Sequence, residues 1–144
     1  MDAKHKILVV DDEADIRELI RFAIESSFAA EIVDASTGNQ AIALLKGDPA
    51  FSLIVSDYYM QDGTGGDLFK HVKNHFPAIP FILVTAAADM KDPAFSAGKL
   101  DGYIEKPSVI IPLKKLLTAL LSGPQPPEAY CRIRTPTLVR IGKL

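Results

Sequence analysis

Phe51-Ser-Leu-Ile-Val-Ser-Asp57 is an apolar run that ends on a carboxylate and passes at once into Tyr58-Tyr-Met-Gln-Asp-Gly63. A short apolar run bounded by turn residues predicts a buried strand, and a strand that delivers an acid to its C-terminal tip builds a site. Four other runs repeat the pattern. His5-Lys-Ile-Leu-Val-Val10 ends at Asp11-Asp12-Glu13, Glu31-Ile-Val-Asp-Ala35 is a short strand, Pro80-Phe-Ile-Leu-Val84 delivers Thr85, and Asp101-Gly-Tyr-Ile-Glu105 runs into Lys106-Pro107.

Between these strands the apolar period changes from continuous to helical. Ile16, Leu19, Ile20, Ala23 and Ile24 form one stripe, with Asp15 and Glu18 in capping-box spacing and a stop near Ser26-Ser27. Ala41, Ile42, Leu44 and Leu45 follow the capping residues Ser36-Thr-Gly-Asn39 and close at Gly47-Asp-Pro49. Leu68, Phe69, Val72 and Phe76 mark a third helix stopped by Pro77. After a loop, Pro93 opens a short fourth helix through Phe95 and Ala97, with Gly98 as its stop. Leu113, Leu116, Leu117, Leu120 and Leu121 draw the fifth stripe, with Pro112 tolerable only in its opening turn.

Five strands alternating with helices predict an α/β domain with a parallel, doubly wound sheet. Right-handed crossovers restrict the topology, and the common order for five such strands is 2-1-3-4-5. That order seats the first and third strands side by side at the switch point where ligands bind. Asp11, Asp12 and Asp57 then stand together.

The chain of 144 residues is 48% hydrophobic and 24% charged, in the range of soluble globular domains and long enough for one full core. Its formal charge of −2 gives the body no call for nucleic acid. The weakly polar run from Ala78 to Ala88 falls well short of the roughly 20 residues a membrane-spanning helix needs. Met1-Asp-Ala-Lys-His-Lys6 lacks the apolar core of a secretory signal, so a cytoplasmic location is expected. Cys131 stands alone and excludes an internal disulfide. The expected organisation is a body over 1–122, a Pro-rich linker over 123–127 and a basic, strand-like tail over 128–144. The tail reads either as the opening of a second domain or as a segment packed on the body. Arg132, Arg134, Arg140 and Lys143 against Glu128 give the tail +3 and leave the body −5.

Three carboxylates crowded at adjacent strand tips repel one another unless a cation joins them. Mg²⁺ suits such a set of hard oxygens, because it keeps waters or phosphate oxygens among its ligands. Asp57 beside it would be both ligand and nucleophile, forming an acyl phosphate. Lys106 is the cation in reach of the charge on a phosphoryl group, and Thr85 can donate its hydroxyl to a phosphoryl oxygen.

These residues resemble the receiver domain of two-component response regulators, a flavodoxin-like architecture. The likeness runs from about Lys6 to Leu121. It is carried by Leu8-Val-Val-Asp11-Asp12-Glu13, by Ile54-Val-Ser-Asp57-Tyr-Tyr-Met60 with Gly65 eight residues after the acid, by Val84-Thr85-Ala86, and by Gly102-Tyr103-Ile-Glu-Lys106-Pro107. The resemblance implies that Asp57 is the phosphoacceptor, that Asp11, Asp12 and the Tyr59 carbonyl help hold Mg²⁺, and that Lys106 pairs with the phosphate. It implies that Thr85 turns toward the phosphate while Tyr103 swings inward, altering the face made by the fourth helix, fifth strand and fifth helix, and that the bond before Pro107 is cis. The implied donor is a sensor histidine kinase or histidine phosphotransfer protein, with docking around Arg17 and Arg21. An output domain, a downstream protein or a second copy of the chain would read the changed face. Gln61 departs from the family's usual proline, and Tyr59 and Ala87 occupy positions that bear on the lifetime of the acyl phosphate.

Each residue also has a plain reading. Alone, Asp11-Asp12 would be a solvated loop or cap, Thr85 a strand-end hydroxyl, Lys106 a surface lysine and Tyr103 core packing. His71 and His75 have metal-binding spacing but lack an intervening glutamate, so a solvated face is expected. Gly63-Thr-Gly-Gly66 is expected to be a turn, not a nucleotide loop. Among functions, a switch that phosphorylates and dephosphorylates itself is expected in preference to a turnover enzyme. An aspartate-nucleophile phosphatase would need an acid two residues after Asp57, where Tyr59 stands. A phosphorylation-independent interaction module is the third reading.

Overall fold

The β-branched and leucine-rich runs form five strands, four of them largely buried on both faces, the pattern of a sheet covered by helices on each side, while the edge strand at Ala30–Ala35 is partly exposed. A computed structural model describes residues 5–86, 95 and 100–121. The elements are β1 (His5–Val10), α1 (Ala14–Glu25), β2 (Ala30–Ala35), α2 (Gly38–Gly47), β3 (Leu53–Ser56), α3 (Gly65–His75), β4 (Phe81–Thr85), β5 (Gly102–Glu105) and α4 (Ile110–Leu121), the last being the fifth helix expected from the sequence. Every pairing is parallel and the order is β2-β1-β3-β4-β5, as the sequence implied. The loop and short helix expected across 87–99, Phe95 apart, lie outside the described residues, as do Ala87 and the linker and tail from 122 onward.

Alternation along β1 sends Ile7 and Val9 to one face and Leu8 and Val10 to the other. On the first face α1 and α4 pack together, with Ile20, Ala23, Ile24, Leu113, Leu116 and Leu117 against the sheet. On the second, α2 and α3 contribute Ala41, Leu45, Leu68, Phe69 and Val72, joined by Phe95 and Tyr103. Pro112 lies in the first turn of α4, where its missing N–H costs nothing.

Two helix starts differ from expectation. Asp15 and Glu18 do not form a capping box: α1 begins at Ala14, its N-cap is Glu13, and no side chain caps it. Asp15 therefore lies two residues past the N-cap, too far along to accept from the first-turn amides. The capping box is on α3 instead, where Thr64 Oγ1 accepts from the Asp67 amide and Asp67 Oδ2 accepts from the Thr64 amide. Half of the expected glycine turn is consequently helix, with Gly65 and Gly66 as buried first-turn residues of α3.

Gly65 is where the fold presses closest on the site. A Cβ there would lie 2.3 Å from the Asp57 carbonyl oxygen and 2.8 Å from Tyr58 Cα. Its amide donates to the Tyr58 carbonyl at 2.6 Å. Only a residue without a side chain lets α3 start against the peptide that carries the acid.

Candidate functional site

The parallel register brings the tips of β1, β3, β4 and β5 to one edge. Asp57, one residue beyond β3, donates its amide to the Val10 carbonyl at 2.9 Å, so the acid is fixed to the end of β1. The Asp11 amide is held by the Ala35 carbonyl at 3.1 Å, and the Lys106 amide by the Thr85 carbonyl at 2.9 Å. Asp11, Asp57 and Lys106 each thus stand at the first residue past their strand, while Thr85 is the last residue of β4.

The side chains converge. Asp11, Asp12 and Asp57 each offer a carboxylate oxygen, all within 4.8 Å of one another. Asp11 and Asp57 are buried while Asp12 is exposed, so the cluster opens to solvent on one side. Lys106 Nζ lies 3.1 Å from Asp11 Oδ2, 3.4 Å from Asp57 Oδ2 and 3.8 Å from Glu13 Oε1. Glu13 donates its amide to Asp11 Oδ1 at 2.8 Å, and Tyr58 donates to Asp57 Oδ1 at 2.8 Å. The Lys106–Pro107 peptide is cis, as the resemblance implied.

Burial pushes the Asp57 carboxyl above its usual range, against the pull of Lys106 and the Tyr58 amide. Burial likewise raises Asp11, with the Glu13 amide and Lys106 opposing and the Asp57 charge adding to the rise. For Lys106 burial acts downward, yet Asp11 and Asp57 outweigh it and hold the ammonium above the ordinary lysine value. The acids are therefore under-compensated. Three carboxylates and one ammonium leave a charge of −2 at the site, which a hard divalent ion would cancel. The donor set fits Mg²⁺: hard carboxylate oxygens, with the exposed Asp12 on the solvent side.

Thr85 is fully buried at the end of β4, and its Oγ1 has no hydrogen-bond partner among the described residues. The hydroxyl stands near enough to Asp57 to favour its anion slightly, but not in bonding geometry. A buried donor without an acceptor is costly unless something else occupies the space in front of it. Tyr59 is exposed and pairs across the loop with Thr64 in an isolated bridge. Tyr103 is only 1% exposed and packs in the cluster with Phe69, Phe81 and Phe95.

The expected docking arginines are engaged within the chain. Arg21 pairs with Asp34 at 3.1 Å and Glu25 at 3.6 Å, while Arg17 donates through Nη1 to the Asp11 carbonyl at 2.6 Å. His71 and His75 stack with ring centroids 4.3 Å apart and planes at 19°, side by side and not converging on a shared point. His75 is exposed as expected, but His71 is half-buried, and burial lowers its pKa with help from His75 and Lys46. The sequence reading missed two polar residues. One is Arg17 as a support of the acidic loop. The other is Asp101, 1% exposed, which accepts from the Phe81 amide at 2.8 Å and lies 3.5 Å from Lys73 Nζ. An acid set directly before an apolar strand was the available signal for the second.

Comparison with known proteins gives one consistent family. Residues 7–119 match the response regulator receiver domain. The chain is 34% identical over 131 residues to the response regulator protein PilR of Pseudomonas aeruginosa, covering 88% of this chain and 29% of that protein. It is 27% identical over 143 residues to the response regulator SaeR of Staphylococcus aureus, covering 96% of this chain and 61% of that protein. The chain thus spans less than two thirds of either relative. Among solved structures, the chemotaxis response regulator CheY4 of Vibrio cholerae superposes with a TM-score of 0.71 at 27% identity, covering 84% of this chain and all of that one. A CheY-like receiver domain protein from Methanospirillum hungatei gives 0.71 at 28% identity, covering 79% and 90%. Among the described residues, no helix is long and apolar enough to cross a membrane.

Proposed function

The chain belongs to the response regulator receiver domain family, and on that premise we propose that it is a phosphoacceptor switch working through Asp57. The donor is the phosphohistidine of a sensor histidine kinase or histidine phosphotransfer protein. The observation that carries the reading is one ammonium shared by Asp11 and Asp57 beside the unpartnered hydroxyl of Thr85.

An Asp57 carboxylate oxygen attacks phosphorus. The bond from phosphorus to the donor imidazole nitrogen breaks, its electron pair stays on that nitrogen, and the product is an acyl phosphate. Lys106 leaves its carboxylate partners for a phosphoryl oxygen, and Thr85 donates to another, so the charge spread over the equatorial oxygens is met by groups already in place. Asp11, Asp12, Asp57 and the Tyr59 carbonyl would hold Mg²⁺, which when bound supplies positive charge to the same oxygens. Water later attacks phosphorus and the bond to Asp57 Oδ breaks, returning the carboxylate. Tyr59, exposed two residues past the acid, would bear on how quickly that water reaches phosphorus.

Thr85 and Tyr103 form the switch. The Tyr103 ring is buried, and in the proposed switch its inward position is coupled to the hydrogen bond that Thr85 makes to the phosphoryl group. The face that responds lies around Phe95, β5 and α4, and an output domain, a partner protein or a second copy would read it. A cytoplasmic location belongs to the same proposal. Incubation with acetyl phosphate and Mg²⁺ is expected to add the mass of one phosphoryl group, and Asp57→Asn to abolish the addition. An equal gain in that variant, or none in the wild type, overturns the reading.

A further inference from the structure

We infer that Arg17 is a positioning residue for the acidic loop, holding Asp11-Asp12-Glu13 in the shape that presents its carboxylates to a divalent cation. The inference rests on the receiver reading above. The loop leaves β1 and enters α1 with few restraints of its own, since α1 has no side-chain cap at Glu13. Asp11 lies past the last residue of β1, where its carbonyl is outside the strand pairing. Arg17 reaches back from the second turn of α1 and places Nη1 2.6 Å from that oxygen. The short contact and the charge on the donor make this a strong bond.

The guanidinium is itself anchored. Its Nε lies 3.8 Å from Asp34 Oδ2 on β2, and Asp34 is also held by Arg21 at 3.1 Å. The Arg17 side chain is only 20% exposed, and the Nε proton has no hydrogen-bond partner among the described residues. Arg17 therefore ties α1, the acidic loop and the edge strand into one unit. With the Ala35 carbonyl on the Asp11 amide and the Glu13 amide on Asp11 Oδ1, it restrains Asp11 at amide, carbonyl and carboxylate together. A lysine would keep the charge but offer no second nitrogen for Asp34.

Charge and position predict opposite signs. By charge alone, a guanidinium beside three carboxylates opposes a divalent ion, so its removal would tighten Mg²⁺ binding. By position, its removal loosens the loop and weakens binding. The groups that brace metal ligands from behind typically contribute about 10-fold or more in affinity.

The test is Mg²⁺ titration of the folded full chain by isothermal titration calorimetry, well below its unfolding temperature. Arg17→Met is expected to weaken Mg²⁺ binding about tenfold, and Arg17→Lys to recover part of the loss. At saturating Mg²⁺, labelling of Arg17→Met by acetyl phosphate should return to near the wild-type rate, because Asp57, Thr85 and Lys106 are untouched. Unchanged or tighter Mg²⁺ binding in Arg17→Met overturns the inference, as does a labelling defect that saturating Mg²⁺ leaves in place. Should circular dichroism show Arg17→Met unfolded, Asp34→Asn replaces it, with an expected weakening of a few fold and wild-type affinity as the refuting result. A wild-type chain that neither binds Mg²⁺ nor takes up a phosphoryl group defeats the receiver reading instead.

Discussion

Gly65→Ala should be among the most damaging single-methyl additions in the protein, and Gly47→Ala is its control. Both glycines belong to helices, and neither has a positive φ, which among the described glycines is found only at Gly63. Backbone preference therefore does not separate them, but space does. A Cβ at position 47 meets nothing within 4 Å, whereas at position 65 it meets the Asp57 carbonyl oxygen at 2.3 Å. Relief needs a shift of about 1 Å, and the obstacle is backbone pinned by the Asp57 amide on Val10 and the Gly65 amide on Tyr58. Weakening those two bonds costs about 1 kcal/mol each, and residual overpacking about 1 more, so the loss should be about 3 kcal/mol. In thermal terms that is a fall of roughly 10 °C. Gly47→Ala should instead gain about 0.5 kcal/mol or more, from the helix preference of alanine alone. Urea unfolding followed by circular dichroism reads both. Since the displaced oxygen belongs to Asp57, the proposed phosphoacceptor, Gly65→Ala should also label more slowly with acetyl phosphate at a temperature where it remains folded. A Gly65→Ala midpoint within error of wild type, or equal losses at the two positions, would refute the close-approach argument.

The raised Asp11 and Asp57 pKa values mean that the folded state holds these protons more tightly than the unfolded state, so their contribution to stability falls as pH rises through the folded pKa and is most favourable below the ordinary carboxylate range. With EDTA present, Asp57→Asn should therefore gain on wild type between pH 4 and 7 in chemical unfolding; a constant gap would contradict the burial assignment. Mg²⁺ at about 100 times its Kd should stabilise wild type by about 2.7 kcal/mol and Asp57→Asn by less at the same concentration. Lys106→Met should bind Mg²⁺ roughly three- to tenfold more tightly, because a competing cation is removed from Asp11 and Asp57, while labelling slows; weaker Mg²⁺ binding would show that the ammonium orders the acids. Lys73→Met should cost about 2 kcal/mol in urea unfolding by leaving buried Asp101 with less compensation, and a neutral result would mean that the Phe81 amide suffices.

The strands and their order were legible because burial on both faces leaves continuous apolar runs that polar loops cannot imitate, and because only one common topology seats Asp11 beside Asp57. The site was legible for a related reason: residues at strand tips keep their spacing to the strand whatever the helices do. Helix starts were harder. Asp15-x-x-Glu18 and Thr64-x-x-Asp67 both have capping spacing, and only the path of the chain decides between them: Glu13 takes the N-cap of α1, so the first pattern slides out of register. Arg17 was hidden for another reason. Its position on α1 reads as an exposed polar face, and its partner is a backbone carbonyl, which carries no sequence signature. Asp101 is a similar case, since nothing in its neighbours' types announces that Lys73, 28 positions earlier, will meet it.

Two cations stand beside the acidic loop, and what each one touches decides its part. Lys106 points its ammonium at carboxylate oxygens, the same atoms a divalent ion would take, and so limits the repulsion between Asp11 and Asp57; in the proposed function it changes partner when another charge meets that repulsion. Arg17 points at the Asp11 carbonyl oxygen and not at a carboxylate, so in the positioning role inferred for it the restraint falls on the backbone and not on the carboxylate oxygens. The division matters for a switch. An ammonium locked to its carboxylates would leave the phosphoryl oxygens unmet, while a loop held only by that ammonium would lose its form as soon as the ammonium left. On that reading, fixing the loop through Arg17 and Asp34 would let Lys106 change partners with the acids still in register.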